Sequence, residues 1–376
     1  MIKKHLLGIF LLSASVTAVC SAQSLSINAV DNTARNGTSV FNLAEGKISF
    51  QGAGIQFISG NTSMANYLAY GVSGDRSLLA FIKGNNDNSR VSLVNSMGGT
   101  LNEFNAVNVS RGDPSVAIYP ANSGEVLVRD NIANFNFYDS FGELITNLSS
   151  SSQSKGGESI SEAAISGDGE TVVLYTPKIK RDGELGSQVQ YVDRTMNLQS
   201  LYFSVERYIK TLDVAGDGQF VIFVTAKEGT DDRIHITDRY GNDLSVLSTD
   251  EDLQGVLLSD DAQTVTAYSG RRVLVFDALS GERVAGTSFR SDLIAVNYFP
   301  QDNTIVALTG SYNTDAGVAD NLDFHAIDIE RRKVERQSYG SSLGLNEEIG
   351  RGFVRLGSGN YKLEGASKHL EVRVSF

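Results

Sequence analysis

The sequence predicts an all-β chain built from repeated four-stranded units, and three observations lead to this fold class. Glycine is abundant and proline is scarce, with 37 and 4 copies in 376 residues. This balance suits many strands joined by tight turns, because glycine adopts positive φ at little steric cost. The other two observations are recurring hairpins of two kinds, which alternate along most of the chain.

The first hairpin is an apolar strand, a turn centred on aspartate and a second apolar strand. Its copies occupy residues 70–84, 116–130, 164–176, 212–226, 256–270 and 297–310. The turns are centred on Asp75, Asn122, Asp168, Asp217, Asp261 and Asp302, so the spacing between copies is 41 to 49 residues. A period of this length predicts a structural repeat rather than unrelated hairpins.

The second hairpin follows each copy of the first and carries an Asp or Asn at the end of its leading strand. Its copies begin at Val91, Phe135, Val189, Ile234, Val273 and Phe324. Asp followed closely by Gly between β-rich runs is a hairpin signal. Two hairpins make four strands per repeat, which is typical of a β-propeller blade.

The repeats predict a single propeller domain over residues 23–376, most simply with seven blades; six and eight are the alternatives. Six blades are expected at roughly 65–105, 112–148, 158–204, 206–248, 252–290 and 292–340. Residues 345–376 supply only three strands of a seventh, and we expect residues 38–60 to complete it. Pairing of the first and last segments would close the ring and remove exposed strand edges.

The repeated core S-G-D-G-x-x-[VL]-x-[LF], seen at residues 166–174 and in part at 73–80, resembles the repeats of TolB-like periplasmic propellers and of WD-repeat proteins. The usual Pro before the aspartate is kept only within residues 298–303, and the chain has no Trp. The resemblance implies a rigid platform that binds partners across its central channel or a loop face. It carries over no catalytic residue.

The N-terminus predicts a secretory signal peptide at residues 1–22. Lys3 and Lys4 precede an apolar stretch that is short for a membrane span, and cleavage after Ala22 would leave Gln23 first. The alternative is a lipoprotein anchored at Cys20. Either location is periplasmic or secreted, and cleavage after Ala22 removes the only cysteine, so no disulfide is expected.

The charge balance argues against nucleic acid as a partner. The formal net charge is −12 and falls to about −14 once the two signal-peptide lysines are removed. Phosphate binding needs clustered Lys and Arg, which this composition does not offer. No later segment is apolar enough to predict a transmembrane helix.

The candidate chemical groups each have a simpler structural interpretation. The turn aspartates could hold calcium, but we expect them to be separated in different blades and to cap their own turns. The Gly216-Asp217-Gly218 loop leads into a strand, unlike a phosphate-binding loop. His235 and His325 occupy equivalent positions two blades apart. We therefore predict no catalytic, cofactor-binding or metal-binding residue, and bound calcium is an alternative without support.

Three surface features remain. The tripeptide Arg111-Gly112-Asp113 matches an integrin-binding motif, the loop at residues 147–159 is of low complexity, and residues 248–254 are acidic. We expect these to decorate the surface. Together, the sequence predicts an exported, monomeric, non-catalytic β-propeller that binds a protein partner or serves as a scaffold in the cell envelope or outside the cell. A propeller enzyme, such as a metal-dependent hydrolase or lactonase, and a glycan- or ligand-binding propeller are the alternatives.

Overall fold

The computed structural model describes most of the chain beyond its N-terminus. The described residues are 25–31, 40–43, 46–50, 55–59, 67–75, 77–83, 89–95, 99–106, 109, 116–131, 134–149, 162–195, 198–227, 231–259, 262–313, 316–345, 353–363, 365 and 368–376. The predicted signal peptide with Cys20, the tripeptide at residues 111–113, Asp261 and most of the loop at 147–159 lie outside these ranges.

Four strands precede the repeats. They are β1 (Leu25–Asp31), β2 (Val40–Leu43), β3 (Gly46–Phe50) and β4 (Ile55–Ser59). Strands β2 to β4 form a three-stranded antiparallel sheet of their own. Strand β1 belongs to the last blade, as described below.

Blades 1 to 3 follow in chain order, each with four antiparallel strands. Blade 1 comprises β5 (Tyr67–Val72), β6 (Leu78–Lys83), β7 (Arg90–Asn95) and β8 (Thr100–Asn105). Blade 2 comprises β9 (Ala117–Pro120), β10 (Val126–Asn131), β11 (Asn134–Tyr138) and β12 (Leu144–Ser149). Blade 3 comprises β13 (Glu162–Ile165), β14 (Thr171–Arg181), β15 (Glu184–Asp193) and β16 (Leu198–Ser204).

Blades 4 to 6 repeat the arrangement. Blade 4 comprises β17 (Tyr208–Val214), β18 (Phe220–Ala226), β19 (Asp232–Asp238) and β20 (Asp243–Thr249). Blade 5 comprises β21 (Gly255–Leu258), β22 (Thr264–Tyr268), β23 (Arg272–Asp277) and β24 (Arg283–Ser288). Blade 6 comprises β25 (Asp292–Phe299), β26 (Thr304–Asn313), β27 (Val318–Asp328) and β28 (Lys333–Tyr339), and the two-residue β29 (Leu343–Gly344) also pairs with β27.

Blade 7 comprises β30 (Phe353–Gly357), β31 (Asn360–Leu363) and β32 (Lys368–Val374), and β1 is its fourth strand. Strand β1 pairs antiparallel with β32 along all seven of its residues, from Leu25 opposite Val374 to Asp31 opposite Lys368. The prediction of seven four-stranded blades is confirmed. The prediction that residues 38–60 complete the last blade is wrong.

The sequence of β1 explains its place at the outer edge of blade 7. At the start of β1, the buried Leu25 is followed by the exposed Ser26, the half-buried Ile27 and the exposed Asn28, before the alternation ends at the exposed Ala29. This alternation suits a strand with one face on the core and one in solvent. Strands β2 to β4, by contrast, pair with one another through short connections, so their hydrogen bonds are made locally.

The core lies between successive blades and explains why the middle strands are apolar on both faces. In β18, Val221 and Phe223 pack in a cluster with blade 3, whereas Ile222 and Val224 pack in a cluster with blade 5. Side chains alternate between the two faces of a strand, so a sheet held between two others must be apolar at every position. Because alternate residues of β18 contact opposite neighbours, blade 4 packs against both blade 3 and blade 5.

Each blade has two ends that differ in their connections. The end that we call the turn face carries the inner turns, between first and second strands, and the outer turns, between third and fourth strands. The opposite end, the loop face, carries the remaining connections. Among the described residues, no helix is long and apolar enough to cross a bilayer.

Candidate binding surface on the turn face

The inner turns of blades 1 to 6 and the inner strand β30 of blade 7 surround one mouth of the central channel. They line a cavity of about 1110 Å³. Each blade contributes at least one residue, among them Asp75, Asn122, Asp168, Gly216, Ser259, Gln301 and Arg355. The repeated motif therefore builds both the blades and the rim of the channel.

The aspartates of three described inner turns cap their own turns, as predicted. Oδ1 of Asp75, Asp168 and Asp217 accepts a hydrogen bond from the backbone N–H two residues further on, at 2.9 to 3.0 Å. In blade 3, the Ser166 hydroxyl also donates to Asp168 at 2.5 Å and accepts from the Thr171 N–H at 3.0 Å. These interactions satisfy backbone donors that the tight turn leaves without a strand partner.

Neighbouring inner turns also hydrogen-bond to one another, which the sequence did not predict. The Asp75 N–H donates to Asn122 Oδ1 at 3.1 Å, and the Asn122 N–H donates to the Gly167 carbonyl at 2.9 Å. The Asp168 N–H donates to the Gly216 carbonyl at 2.8 Å. The turns of blades 1 to 4 are thus linked in series around the mouth.

Asp302 departs from this pattern and joins blades 6 and 7. Its carboxylate accepts two hydrogen bonds from the Arg355 guanidinium, at 2.8 and 2.9 Å, and one from the Tyr361 hydroxyl at 2.9 Å. Hydrogen bonding to Arg355 holds the pKa of Asp302 below its ordinary value, although burial opposes this. The prediction that this aspartate shapes its own turn is therefore wrong, because its carboxylate is committed to the next blade.

Asp213, in the innermost strand β17, is an ionisable group that the sequence reasoning missed. It lines the channel cavity, and its Oδ1 accepts a hydrogen bond from the adjacent Val214 N–H at 2.8 Å. Burial raises the pKa of Asp213 to about 6, which the Val214 hydrogen bond only partly offsets. Burial therefore disfavours the charged form of Asp213, but with a pKa of about 6 the carboxylate is still mostly ionised at neutral pH.

The outer turns use the same aspartate cap to support exposed side chains. Asp139, Asp238 and Asp277 each accept a hydrogen bond from the N–H two residues on, at 2.9, 2.9 and 3.1 Å. The residues that donate these bonds are Phe141, Tyr240 and Leu279, which are 82%, 59% and 61% exposed. Blades 2, 4 and 5 thus present a large apolar side chain at the same position of the turn.

A glycine behind each of these side chains fixes the outer turn to the preceding blade. Gly142 has φ +84°, and a Cβ there would lie 2.4 Å from the Phe104 ring in blade 1. Gly281 has φ +70°, and a Cβ there would lie 2.7 Å from Leu247 in blade 4. Only glycine combines this backbone conformation with such close packing. The turns are consequently anchored while their apolar side chains face solvent.

A groove of about 620 Å³ runs between blades 3 and 4 on the turn face. We call it the interblade groove, and its lining includes Asp168, Glu170, Tyr191, Arg194, Leu198, Asp217, Arg239 and Tyr240. It shares Asp168 with the channel mouth, so the two cavities adjoin at that residue. At its outer part lie Tyr240 and Leu198, both substantially exposed.

The two equivalent histidines are not brought together. Nε2 of His235 lies 3.0 Å from the Thr225 hydroxyl within blade 4, and Nε2 of His325 lies 3.1 Å from the Thr309 hydroxyl within blade 6. The His235 ring stacks on Phe223 with centroids 4.8 Å apart. Burial lowers the pKa of His235 to about 4, with smaller contributions from nearby arginines, so the ring is neutral at physiological pH.

Within the described ranges of the chain, no group of three or more His, Cys, Asp or Glu side chains is placed as a metal site would require.

A column-by-column comparison of the repeats could have found the missed residues. Asp213 stands four residues before its turn aspartate, where the other copies have Gly71, Ile118, Ala164, Leu257 and Tyr298. Phe141, Tyr240 and Leu279 each stand two residues after an outer-turn aspartate. A charge in an apolar column and apolar residues at a turn tip are both signals of a local role beyond the fold.

Sequence comparison finds no match among family models or curated proteins, whereas structural comparison finds solved structures of similar fold. No protein-family model and no curated protein matches the chain. The Dos1 propeller matches with a TM-score of 0.55 and 12% identity, over 92% of this chain and 88% of that one. The C-terminal WD40 domain of Sif2 matches with a TM-score of 0.55 and 10% identity, over 94% and 99%.

A third solved structure agrees. KlHsv2, with loop 6CD replaced by a Gly-Ser linker, matches with a TM-score of 0.52 and 12% identity, over 80% of this chain and 90% of that one. Identities this low establish a shared fold alone. By its seven four-stranded sheets and these similarities, the chain has the fold of a WD-repeat-like β-propeller.

Proposed function

We propose that this propeller is an exported, non-catalytic module that binds a protein partner through its turn face. The observation that carries the proposal is the repeated exposure of Phe141, Tyr240 and Leu279 at one position of the outer turns. Full burial of such side chains is worth roughly 1.5–3 kcal/mol each. Aromatic residues in particular dominate the energetics of protein interfaces.

The rigidity of the outer turns favours an interface over random surface exposure. Each side chain stands on a turn held by an aspartate cap and anchored by a glycine against the preceding blade. A preorganised turn loses little conformational freedom when it binds, which leaves more of the contact energy for affinity. Single exposed apolar residues are ordinary, whereas recurrence at equivalent positions is not explained by the fold.

Export is supported by the position of the first strand. Cleavage after Ala22 would leave β1 (Leu25–Asp31) whole, so the processed chain would keep the strand that completes blade 7. N-terminal sequencing of the protein from its native host should give Gln23 as the first residue. A lipidated Cys20 at the N-terminus would instead establish the lipoprotein alternative, and an intact Met1 would contradict export.

The binding proposal is tested with the tagged full-length protein expressed in its native host. A protein captured with it is identified, purified and titrated against Phe141→Ala, Leu279→Ala and the control Leu185→Ala. Leu185 is 57% exposed and lies at the loop-face end of β15. We expect the two turn-face variants to weaken binding by about tenfold each and the control to change it by less than about twofold. Weakening by the control alone would move the interface to the loop face and contradict the proposal.

A further inference from the structure

We propose that the interblade groove receives a lysine- or arginine-bearing, partly apolar segment of the protein partner. The inference rests on the proposed function and adds the chemistry of the partner and the place where it docks. Three observations support it: the shape of the groove, the sign of its charges and the apolar residues at its outer part.

The groove has the position and size to hold a short segment of chain. Its volume of about 620 Å³ accommodates several side chains, and it adjoins the channel mouth at Asp168. Its outer part carries Leu198 and Tyr240, which offer apolar contact to a segment entering from the rim. A partner that crosses from the rim to the channel would thus meet apolar surface first and carboxylates next.

The carboxylates of the groove outnumber its cations. Four line it, namely Asp168, Glu170, Asp193 and Asp217, against the guanidinium groups of Arg194 and Arg239. Arg194 is already held by Glu170 at 3.0 Å and by Glu125. Arg239 donates to the Tyr240 hydroxyl at 2.8 Å and lies over that ring. Asp217 stands exposed beside them, so the groove presents net negative charge to an incoming segment.

Exposed carboxylates also stand at or beside the outer turns of blades 2, 4 and 5, namely Glu143, Asp243 and Glu282, whereas the outer turn of blade 6 is basic, with Arg331, Arg332 and Lys333 exposed. Clustered charge of one sign speeds association with a partner of opposite charge and selects against partners of like charge. The channel-facing Asp213, whose ionisation is disfavoured by burial, would also gain from a cation brought to the mouth.

Charge complementarity favours a basic protein segment over other occupants. A nucleic acid would bring phosphates against the carboxylates of the groove. A second copy of the chain carries a formal net charge of −12 and would be repelled in the same way. A segment that combines Lys or Arg with apolar residues satisfies both the groove and its outer part.

The test uses the purified full-length protein and a phage-displayed library of random 12-residue peptides. We expect enriched peptides to carry Lys or Arg together with apolar residues, and their affinity to fall as salt is raised. The variants Asp217→Asn and Glu170→Gln remove charge, and the asparagine keeps the oxygen that caps the turn. Each should weaken peptide binding by about threefold and the double variant by about tenfold.

Matched controls make the same charge change on the loop face. Asp250→Asn and Glu184→Gln alter exposed carboxylates there and should change affinity by less than about twofold. Enrichment of acidic or uncharged peptides, no enrichment at all, or equal affinity in the groove variants would each overturn the inference. Those outcomes leave the proposed function standing if Phe141→Ala still weakens the natural partner, whereas loss of that effect would refute the proposed function itself.

Discussion

Asp213 provides the most direct energetic prediction, because the structure holds its carboxylate where ionisation is unfavourable. The folded-state pKa is about 6, against an ordinary value of 3.8. The folded state therefore binds a proton more tightly than the unfolded state, and stability falls as the pH rises from about 3.8 to 6. Asp213→Asn removes the charge and should stabilise the protein above that window.

The size of the effect follows from the two pKa values. At about pH 7.5 the ionised carboxylate lowers the free energy of unfolding by about 3 kcal/mol, and at about pH 4 by only about 0.6 kcal/mol. The asparagine should fit, because Asn297 accepts the Tyr298 N–H at 2.8 Å at the corresponding place in blade 6. We therefore expect Asp213→Asn to raise stability by about 1–3 kcal/mol at neutral pH.

Urea denaturation at the two pH values measures this difference, and Asn297→Asp is the converse control. The control places a carboxylate at the corresponding position and should destabilise the protein at neutral pH but hardly at acidic pH. If Asp213→Asn gives no gain at neutral pH, or an equal gain at both values, the burial argument for Asp213 is refuted. Any loss of partner binding in the same variant would be a separate effect of the lost charge.

Three further predictions concern stability, each measured by denaturant unfolding. Gly71→Ala should destabilise the protein by about 1–3 kcal/mol, because the added Cβ would lie 2.2 Å from a backbone carbonyl oxygen of blade 2. Gly216→Ala is the control, since a Cβ there meets nothing within 4 Å. Equal losses of stability in the two variants would contradict this packing. His235 is buried in its neutral form with a pKa of about 4. The free energy of unfolding should therefore fall by on the order of 3 kcal/mol as the pH drops from about 6.5 to 4. His235→Gln should reduce this loss at acidic pH, and an unchanged pH profile in the variant would contradict the assignment to His235. Asp302→Asn should cost about 1–3 kcal/mol by breaking the ion pair with Arg355 between blades 6 and 7, and wild-type stability would show that the pair contributes nothing.

The sequence was sufficient to predict the fold because two features of the repeat, its period and the polarity pattern of its strands, both indicate a propeller. Its period gives the number of blades, and the fully apolar second strands, such as β18, reveal sheets packed on both sides. It could not identify the strand that completes blade 7. Both β1 and the 38–60 segment have strand-forming residues, and only the register against β32, more than 300 residues away, distinguishes them.

The candidate site was harder to predict for a related reason. The cap made by Asp217 is local, so its turn could be read directly. The hydrogen bonds that the Asp302 carboxylate accepts from the next blade depend on Arg355, which is 53 residues further along the chain. The exposure of Phe141 depends on how its turn packs against blade 1. Local patterns predict local hydrogen bonds, whereas contacts between blades appear only once the ring is assembled.

The central claim, that the turn face is where a protein partner binds, is tested most directly by site-specific photo-crosslinking in the native host. A photoreactive amino acid is placed singly at Phe141, Tyr240, Leu279 and the loop-face control Leu185. The account predicts that the three turn-face positions crosslink to one and the same protein and that the control does not. Crosslinking of a common partner from position 185 but from none of the turn-face positions would contradict it.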